Sequence, residues 1–305
     1  MSSIVFKPVE LSDKVWIDPL LRLSDFRAAE YCFTNLFVWR HVYHTRVVRW
    51  NDFLLIRSGS QELPTDIFPA GTGNVGLMIE MLLTNALEEK RDFRMAGVTK
   101  EQATVIEQLY PGLFTVSPAR DSWDYIYQVE ALSTLQGKRY QPKRNHIARF
   151  IELPNWRYES ITDQNIPECL AMTKIWCKQM GCEDNKSLYM ETCASEIALL
   201  HFNDLGLEGA LLRVSNQVVA YTIGEKLNSD TYIVHIEKAF PEVRGAYPMI
   251  NRQFIRERGA SLTYVNREDD AGDDGLRRAK NSYHPVFMQE KYFLAVSYNS
   301  LSLHR

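Results

Sequence analysis

One group of residues with a possible binding function forms a basic segment close to the middle of the chain. Residues 131–151 contain no acidic residue in a chain whose net charge is −3, and residues 137–150 hold Lys138, Arg139, Lys143, Arg144, His146 and Arg149. Because this positive charge is local, it indicates a surface for an anionic partner, with phosphate groups as the expected target. We predict that phosphate is bound by Lys143, Arg144, Asn145 and Arg149. The alternative is a solvated connecting helix whose charges bind nothing specific.

A second polar group lies in residues 264–285, whose sequence is YVNREDDAGDDGLRRAKNSYHP. A strand is predicted to end at Asn266, and a helix is predicted to be capped by Asp273 or Asp274. The spacing i, i+3, i+4 and i+7 predicts that one buried face of this helix is formed by Leu276, Ala279, Lys280 and Tyr283. An ammonium group on a buried face needs a partner, because an unpaired buried charge is costly.

These residue types suggest a site for group transfer. We predict that Lys280 and Arg277 hold a phosphate or carboxylate, with Asn266 in the same binding site. Glu268 or Asp269 is predicted to act as a base or to orient an amine. The alternative is a structural ion pair between Lys280 and one of these acids.

Acyl transfer needs a base for the nucleophile, a donor to the carbonyl oxygen, and a means of holding both reactants together. Tyr283 is predicted to donate to the oxyanion or the leaving group, with a buried structural aromatic as the alternative. Glu237, near a strand end, is the second candidate base and is preferred to His235. The GxSxG, HExxH and P-loop patterns are absent, which excludes the hydrolases, zinc proteases and NTPases that carry them.

The elements that must position these residues occur in two similar series. In the first half, a glycine-containing loop at residues 68–74 is followed by a helical pattern over 76–90 and a strand over 92–98. In the second half, Arg244 and Gly245 precede a helix over 246–259, with Ile250, Phe254 and Ile255 on one face, and a strand over 261–266. This repetition predicts a duplicated α/β unit with mixed sheets.

The second series extends toward the N-terminus. Three strands are predicted between residues 207 and 239, separated by turns at Ser215-Asn216 and Asn228-Ser229. Two helices are predicted upstream, over residues 163–180 and 188–202. A strand, two helices, an antiparallel meander, and then a helix and a strand are the order expected of an acyltransferase-like mixed sheet.

A chain of 305 residues is long enough for two domains. We predict an N-terminal unit over residues 1–136, a basic connecting helix over 137–153, and a C-terminal unit over 154–305 that carries the active site. Pro142 suits the first turn of the connecting helix, whose apolar side is predicted to consist of Ile147, Phe150 and Ile151.

Composition narrows the class of protein. No apolar run approaches the roughly 20 residues that cross a bilayer, and the first residues, MSSIVFKPVELSD, lack the features of a signal peptide. We therefore expect a cytoplasmic protein whose membrane contact, if any, is peripheral. The five cysteines are too few and too irregularly spaced for a disulfide scaffold, so we expect them to be reduced and predict no metal site.

Two motifs together resemble a known family. The central QGKRYQPKRNHIARF and the C-terminal VNREDDAGDDGLRRAKNSYHP are similar, in order and separation, to the signatures of an uncharacterised bacterial family related to the C-terminal catalytic domain of phosphatidylglycerol lysyltransferases. The resemblance implies a tandem pair of GNAT-like units. It also implies transfer of an amino acid from aminoacyl-tRNA to a lipid head group, or to a peptidoglycan precursor as in the related Fem-type enzymes.

In that light the basic helix would face tRNA phosphates, and residues of the second unit would surround the aminoacyl ester. The sequence departs from the usual GNAT loop that grips coenzyme A, because Arg244-Gly245-Ala246 runs into Tyr247-Pro248 where a small residue is wanted. The long membrane-embedded domain of the lipid synthases is also absent from this sequence, so a lipid acceptor does not follow from the resemblance.

Three hypotheses result. The first is an aminoacyl-tRNA-dependent aminoacyltransferase whose acceptor is an amine or hydroxyl on a small molecule, lipid head group or peptide. The second is a coenzyme A-dependent N-acyltransferase with its donor at Arg244 and Gly245. The third is a catalytically silent RNA- or anion-binding module that keeps the duplicated fold.

Overall fold

The structure is a computed structural model that describes residues 4–304. Its strands are β1 (Lys7–Pro8), β2 (Arg46–Trp50), β3 (Phe53–Ser58), β4 (Thr65–Gly71), β5 (Phe93–Thr99), β6 (Thr115–Pro118), β7 (Asp124–Gln128), β8 (Arg157–Ser160), β9 (Glu208–Val214), β10 (Gln217–Lys226), β11 (Thr231–Ala239), β12 (Tyr264–Asn266), β13 (Phe287–Gln289) and β14 (Lys291–Val296). Its α-helices are α1 (Lys14–Ser24), α2 (Phe33–Val38), α3 (Arg40–Tyr43), α4 (Val75–Glu88), α5 (Lys100–Leu109), α6 (Val129–Thr134), α7 (Gln141–Ile151), α8 (Ile166–Met180), α9 (Lys186–Leu200), α10 (Phe202–Leu205), α11 (Ala246–Arg258), α12 (Asp274–Asn281) and α13 (Tyr298–Leu303).

The chain forms two compact units. The first unit consists of residues 4–124, 269–274 and 288–304, and the second unit consists of residues 125–268 and 275–287. Across residues 4–304 the structure contains no helix that combines the length and the hydrophobicity of a membrane span.

The first unit is built on a seven-stranded mixed sheet in the order β1-β2-β3-β4-β5-β14-β6. β4 and β5 pair in parallel, and α4 connects them. Asn74 caps α4 by accepting a hydrogen bond from the Leu77 N–H, which satisfies a backbone group that has no partner inside the helix. The buried side of α4, including Ile79 and Leu82, packs in one core with Phe93 of β5.

The second unit repeats this plan. Its seven strands lie in the order β13-β7-β12-β11-β10-β9-β8, and β11 and β12 pair in parallel with α11 between them along the chain. Ile250, Phe254 and Ile255 of α11 are fully buried, as their helical spacing predicts. Ser215 and Asn216 both have positive φ in the turn between β9 and β10, which suits the twist of a two-residue hairpin. The predicted duplication with mixed sheets is therefore confirmed.

The compact units do not follow the predicted division at residues 136 and 154. β7 lies in the sheet of the second unit, although it precedes residue 136, and β14 lies in the sheet of the first unit, although it is close to the C-terminus. A strand offers the same backbone hydrogen bonds to any neighbour, so its own sequence does not specify which sheet it joins. The predicted connecting helix is α7, and it lies within the second unit.

Candidate active site

A β-bulge lies in the middle of the sheet of the second unit. Ile223 of β10 pairs with Ile236 of β11, whereas the next residue, Gly224, pairs with Val234. His235 is therefore the extra residue of β11 at this bulge. A Cβ at position 224 would lie 2.2 Å from the Ile233 carbonyl oxygen, so only glycine fits there. Bulges bend a strand and turn a side chain in a new direction, and they are enriched beside active sites.

The bulge places His235 between two carboxylates. Its Nδ1 lies 2.8 Å from Glu268 Oε1 and its Nε2 lies 3.1 Å from Glu225 Oε1. With both carboxylates ionised, both contacts are hydrogen bonds only when both ring nitrogens carry protons. The carboxylates bind opposite nitrogens, so the three side chains form a chain of hydrogen bonds. The His235 side chain is 4% exposed, and those of Glu225 and Glu268 are 17% and 22% exposed, so the chain reaches the surface through its carboxylates.

Glu268 is held in a tight turn directly after β12. Its φ is +56°, in the left-handed region, and its N–H donates to Asn266 Oδ1 at 2.7 Å. Its carbonyl oxygen accepts the Tyr125 N–H at 3.1 Å. Non-glycine residues in this conformation cluster at functional sites, where the surrounding structure holds them. The buried Asn266 side chain therefore positions the predicted base, and its direct contact with a substrate stays a prediction.

Glu237, the second predicted base, forms a buried ion pair. Its Oε1 accepts from Arg267 Nη2 at 2.9 Å, and its Oε2 accepts from Asn251 Nδ2 at 2.8 Å. The Arg267 and Glu237 side chains are 11% and 10% exposed. Burial lowers the pKa of Arg267, but the Glu237 carboxylate and two tyrosines oppose this and make the net change upward. Both carboxylate oxygens of Glu237 therefore accept hydrogen bonds from within the protein, and these structural contacts account for a carboxylate at this position.

The predicted catalytic residues Lys280 and Tyr283 lie in the same part of the second unit. Lys280 Nζ donates to the Arg267 carbonyl oxygen at 2.6 Å, and the Lys280 carbonyl oxygen accepts from the Tyr127 hydroxyl at 2.8 Å. Tyr283 is 5% exposed, and burial raises the pKa of its hydroxyl. Arg267 and Lys143 both lie against its ring, with Arg267 Cζ 4.8 Å and Lys143 Nζ 3.8 Å from the ring centroid.

The predicted buried face of α12 is only partly correct. Lys280 and Tyr283 are buried, whereas Leu276 is 41% exposed and Ala279 is also exposed. The helix is short and mainly polar, so its position is set by the buried C-terminal end and by the residues that follow it, not by an apolar stripe. Arg277 lies half-buried on this helix. Asp269 belongs to the first unit, where its Oδ1 accepts the Ala271 N–H at 3.1 Å.

The basic segment divides into internal and exposed residues. Arg144 donates to the carbonyl oxygens of Leu135 and Gly137, at 2.5 and 2.8 Å, and to Gln141 Oε1. Lys143 Nζ bonds to Ser282 Oγ at 2.7 Å. These two predicted phosphate ligands therefore already have structural contacts in the protein.

The other basic residues of the segment and Asn145 face solvent. Pro142 lies in the first turn of α7, and Ile147 and Phe150 are buried as predicted, whereas Ile151 is 48% exposed because α7 ends there. Within residues 4–304, no ion pair forms to the exposed side chains Lys138, Arg139, His146 and Arg149. Asn145 is exposed as well, and its Oδ1 accepts from Gln141 Nε2 at 2.8 Å.

Gly245 brings the start of α11 against α7. It has φ +86°, and a Cβ there would lie 2.1 Å from the His146 carbonyl oxygen. Arg244, next to it, is exposed, so it extends the basic surface of α7. The first turn of α11 contains Pro248, which offers no N–H, and its N-cap is covered by backbone of α7.

The close approach of Gly245 to the backbone of α7 predicts how substitutions there change the free energy of unfolding. Gly245→Ala should lower the free energy of unfolding by about 2–4 kcal/mol, because it adds both a left-handed strain and a clash with backbone. Gly137→Ala is the matched control: its φ is +90°, but nothing lies within 4 Å of the added Cβ, so we expect a loss of only about 1 kcal/mol. Urea denaturation of both variants checks this, and equal losses would contradict the clash.

Sequence reasoning missed four residues of this site: Glu225, His235, Arg267 and Ser282. His235 was set aside in favour of Glu237, although the two lie two positions apart on one strand. A signal was present in Gly224, because a glycine inside an apolar strand indicates a bulge or a close approach of backbone. Ser282 and Arg267 carried no local signal, since their partners come from distant parts of the chain.

Comparison with known proteins defines the family. The family model described as phosphatidylglycerol lysyltransferase, C-terminal, matches residues 21–295. An uncharacterised protein of Mycoplasmoides gallisepticum is 24% identical over 183 residues, and this match spans 57% of the chain but only 56% of that relative's own length.

Solved structures agree with this assignment. A conserved protein of unknown function from Bacteroides thetaiotaomicron is 38% identical, with a TM-score of 0.91 over 96% of this chain and 100% of that chain. L-PGS from Bacillus licheniformis is 13% identical, with a TM-score of 0.68 over 98% and 95% of the two chains. FemX is 10% identical, with a TM-score of 0.57 over 98% and 99%.

The last two likenesses concern the fold, and they agree with the two similar sheets described above. The family match covers most of the chain, including both motifs that suggested the resemblance. The chain therefore belongs to the family of the phosphatidylglycerol lysyltransferase C-terminal domain and has its tandem GNAT-like fold.

Proposed function

We propose that the protein transfers an amino acid from aminoacyl-tRNA to an amine or hydroxyl acceptor in the cytoplasm. The observation that supports tRNA as the donor is an exposed basic surface of the second unit. This surface is formed by Lys138, Arg139, His146, Arg149 and Arg244. Phosphate backbones are bound through clusters of exposed Lys and Arg side chains that form no ion pair with the protein. The acceptor is a small molecule, a lipid head group or a peptide-like amine, and the family name itself describes transfer to phosphatidylglycerol.

The three hydrogen-bonded side chains Glu225, His235 and Glu268 support the proposed acyl transfer. In the proposed reaction Glu268 takes the proton of the attacking amine or hydroxyl as that group attacks the ester carbonyl of the donor. The ester C–O bond then breaks, and the proton passes from Glu268 to the leaving ribose hydroxyl. His235, held by Glu225, orients the Glu268 carboxylate without contacting the substrate.

Coenzyme A is the alternative donor, with Arg244 and Gly245 at its pyrophosphate. The structure favours tRNA over this alternative, because backbone of α7 lies against Gly245 and Pro248 removes an N–H from the first turn of α11. Calorimetric titration with acetyl-CoA and longer acyl-CoAs tests it. Heat of binding that disappears in Arg244→Glu would replace tRNA by coenzyme A in the proposal.

The tRNA donor is tested by charge reversal of exposed residues that form no ion pair within residues 4–304; the Arg139 guanidinium lies 4.9 Å from the centre of the Tyr140 ring. Combined Lys138→Glu, Arg139→Glu and Arg149→Glu should weaken binding of tRNA by about 10- to 100-fold at physiological salt and flatten its dependence on salt concentration, because fewer counterions are released. Filter binding over a range of salt concentrations measures both effects.

The matched control reverses three exposed lysines of the same unit that lie on α8 and α9, namely Lys174, Lys178 and Lys186. This variant has the same net charge as the test variant, so a general electrostatic effect would weaken tRNA binding equally in both. Equal affinities of the two variants would rule out the basic segment as the tRNA surface.

A further inference from the structure

Lys143 and Ser282 form a contact that the proposed reaction does not use. Lys143 Nζ, on α7, lies 2.7 Å from Ser282 Oγ, in the turn that follows α12. Ser282 is exposed, so a substrate can reach its hydroxyl, whereas Lys143 is half-buried. In this geometry Lys143 Nζ donates to Ser282 Oγ, and the Ser282 hydroxyl donates to the Ala279 carbonyl oxygen at 2.6 Å. When Lys143 is neutral and the hydroxyl rotates toward it, the pair has the arrangement of an activated serine nucleophile.

The surroundings of Lys143 favour its neutral form. Its ammonium lies 3.8 Å from the centre of the Tyr283 ring, and within residues 4–304 it forms no ion pair. Burial and the nearby Arg267 cation lower the pKa of Lys143 to about 8, against the opposing effect of Glu237. A lysine that is partly desolvated beside another cation can act as a base near neutral pH.

Arg267 adds a donor to the same cluster. It lies against the Tyr283 ring, and its Nη1 is buried without a hydrogen-bond partner among residues 4–304. A buried cationic donor of this kind favours negative charge that develops nearby, such as the oxyanion of an acyl-transfer intermediate.

We propose that Lys143 and Ser282 form a serine–lysine site that accepts an acyl group covalently from an activated ester. The Ser282 oxygen attacks the ester carbonyl, and its proton passes to the neutral Lys143 amine. The ester C–O bond breaks, and the leaving alcohol takes the proton from Lys143. Water or an amine then attacks the acyl-serine, and the bond between the acyl carbon and the Ser282 oxygen breaks. The proton of the attacking group returns through Lys143 to the Ser282 oxygen. This reaction does not use the Glu268 carboxylate and requires no tRNA.

The probe is p-nitrophenyl acetate. We expect a burst of nitrophenolate, an acetyl group on Ser282 in peptide mass spectra, and an acylation rate that rises with pH around a midpoint near 8, where the pKa of Lys143 lies. Ser282→Ala should abolish the burst. Lys143→Arg keeps a cation over the Tyr283 ring but cannot lose its proton, so it should acylate at least about 100-fold more slowly.

Ser302→Ala is the matched control. Ser302 is exposed, and its hydroxyl donates to the carbonyl oxygen three residues earlier, as Ser282 does, at 2.8 and 2.6 Å respectively. The burst should be unchanged in this variant. An acetyl group on Lys143 in place of Ser282, or a Lys143→Arg variant that acylates at the wild-type rate, would overturn the proposal. Neither result would affect the tRNA-binding test of the proposed function.

Discussion

Glu268→Gln should slow aminoacyl transfer by about 10²- to 10⁴-fold while leaving the protein folded. The amide oxygen of glutamine can still accept from His235, and its size matches the original side chain, so the turn after β12 is kept. It cannot take a proton from the acceptor. We expect the loss in kcat with tRNA binding unchanged, because Glu268 does not belong to the exposed basic surface.

Transfer of radiolabelled amino acid from aminoacylated tRNA to a panel of amine and hydroxyl acceptors measures this effect. Glu225→Gln is the companion variant: it alters the far side of His235, which orients Glu268, and should cost only about 10-fold. If Glu268→Gln kept the wild-type rate, Glu268 would not be the base. If wild-type protein transferred nothing from any donor, the hypothesis of a catalytically silent RNA-binding module would be favoured.

Lys291→Met should lower the free energy of unfolding by about 3–5 kcal/mol, because it leaves buried acids without their cation. Lys291 is 1% exposed, and its Nζ lies 2.7 Å from both Asp124 Oδ1 and Glu30 Oε2. Asp124 is fully buried and also accepts the Ala29 N–H at 2.9 Å. All four residues belong to the first unit.

The sign of the pH dependence follows from the pKa of Lys291. Burial lowers it, but Asp124 and Glu30 outweigh burial and make the net change upward. A lysine whose folded pKa is raised contributes its full stability below its unfolded pKa, for which the ordinary value is 10.5, and loses it only as pH rises above that value. The contribution of Lys291 with Asp124 should therefore be complete at pH 7. Burial and the Asp124 charge outweigh Lys291 and raise the pKa of Glu30 to about 7, so Glu30 is only partly ionised there and adds less.

Urea denaturation at pH 7 measures the difference. Adding Asp124→Asn to Lys291→Met should recover part of the loss, because an asparagine can still accept from Ala29 and carries no charge. Arg94→Met is the control: its contact with Asp92 is 3.7 Å long, with side chains 29% and 49% exposed, so its loss should stay below about 1 kcal/mol. A Lys291→Met loss as small as that of Arg94→Met would show that the buried cluster contributes little.

Local sequence signals predicted the elements well. The helices over residues 76–90 and 246–259 appear as α4 and α11, because helical spacing and a neighbouring cap act within a few turns of chain. The turn at Ser215-Asn216 is likewise a property of two residues and their flanking strands. The basic segment and the two family motifs were also visible in the chain itself, and they were enough to identify the family.

Only the tertiary structure decided which of these residues meet. His235 lies on β11 and Glu268 lies in the turn after β12, with α11 between them along the chain, and a bulge that depends on Gly224 brings them together. The sequence predicts Lys143 as a phosphate ligand, but the packing of α7 turns it onto Tyr283 and Ser282.

The same distinction holds for the division of the chain. The sequence alone determined a duplicated α/β acyltransferase fold and a local basic surface, because periodicity and charge patterns are carried by neighbouring residues. The exchange of β7 and β14 between the two sheets, and the choice of His235, Glu268, Lys143 and Ser282 as partners, depend on contacts between residues far apart in the chain. Such contacts form only when the sheets pair and the helices pack, so no local pattern in the sequence specifies them.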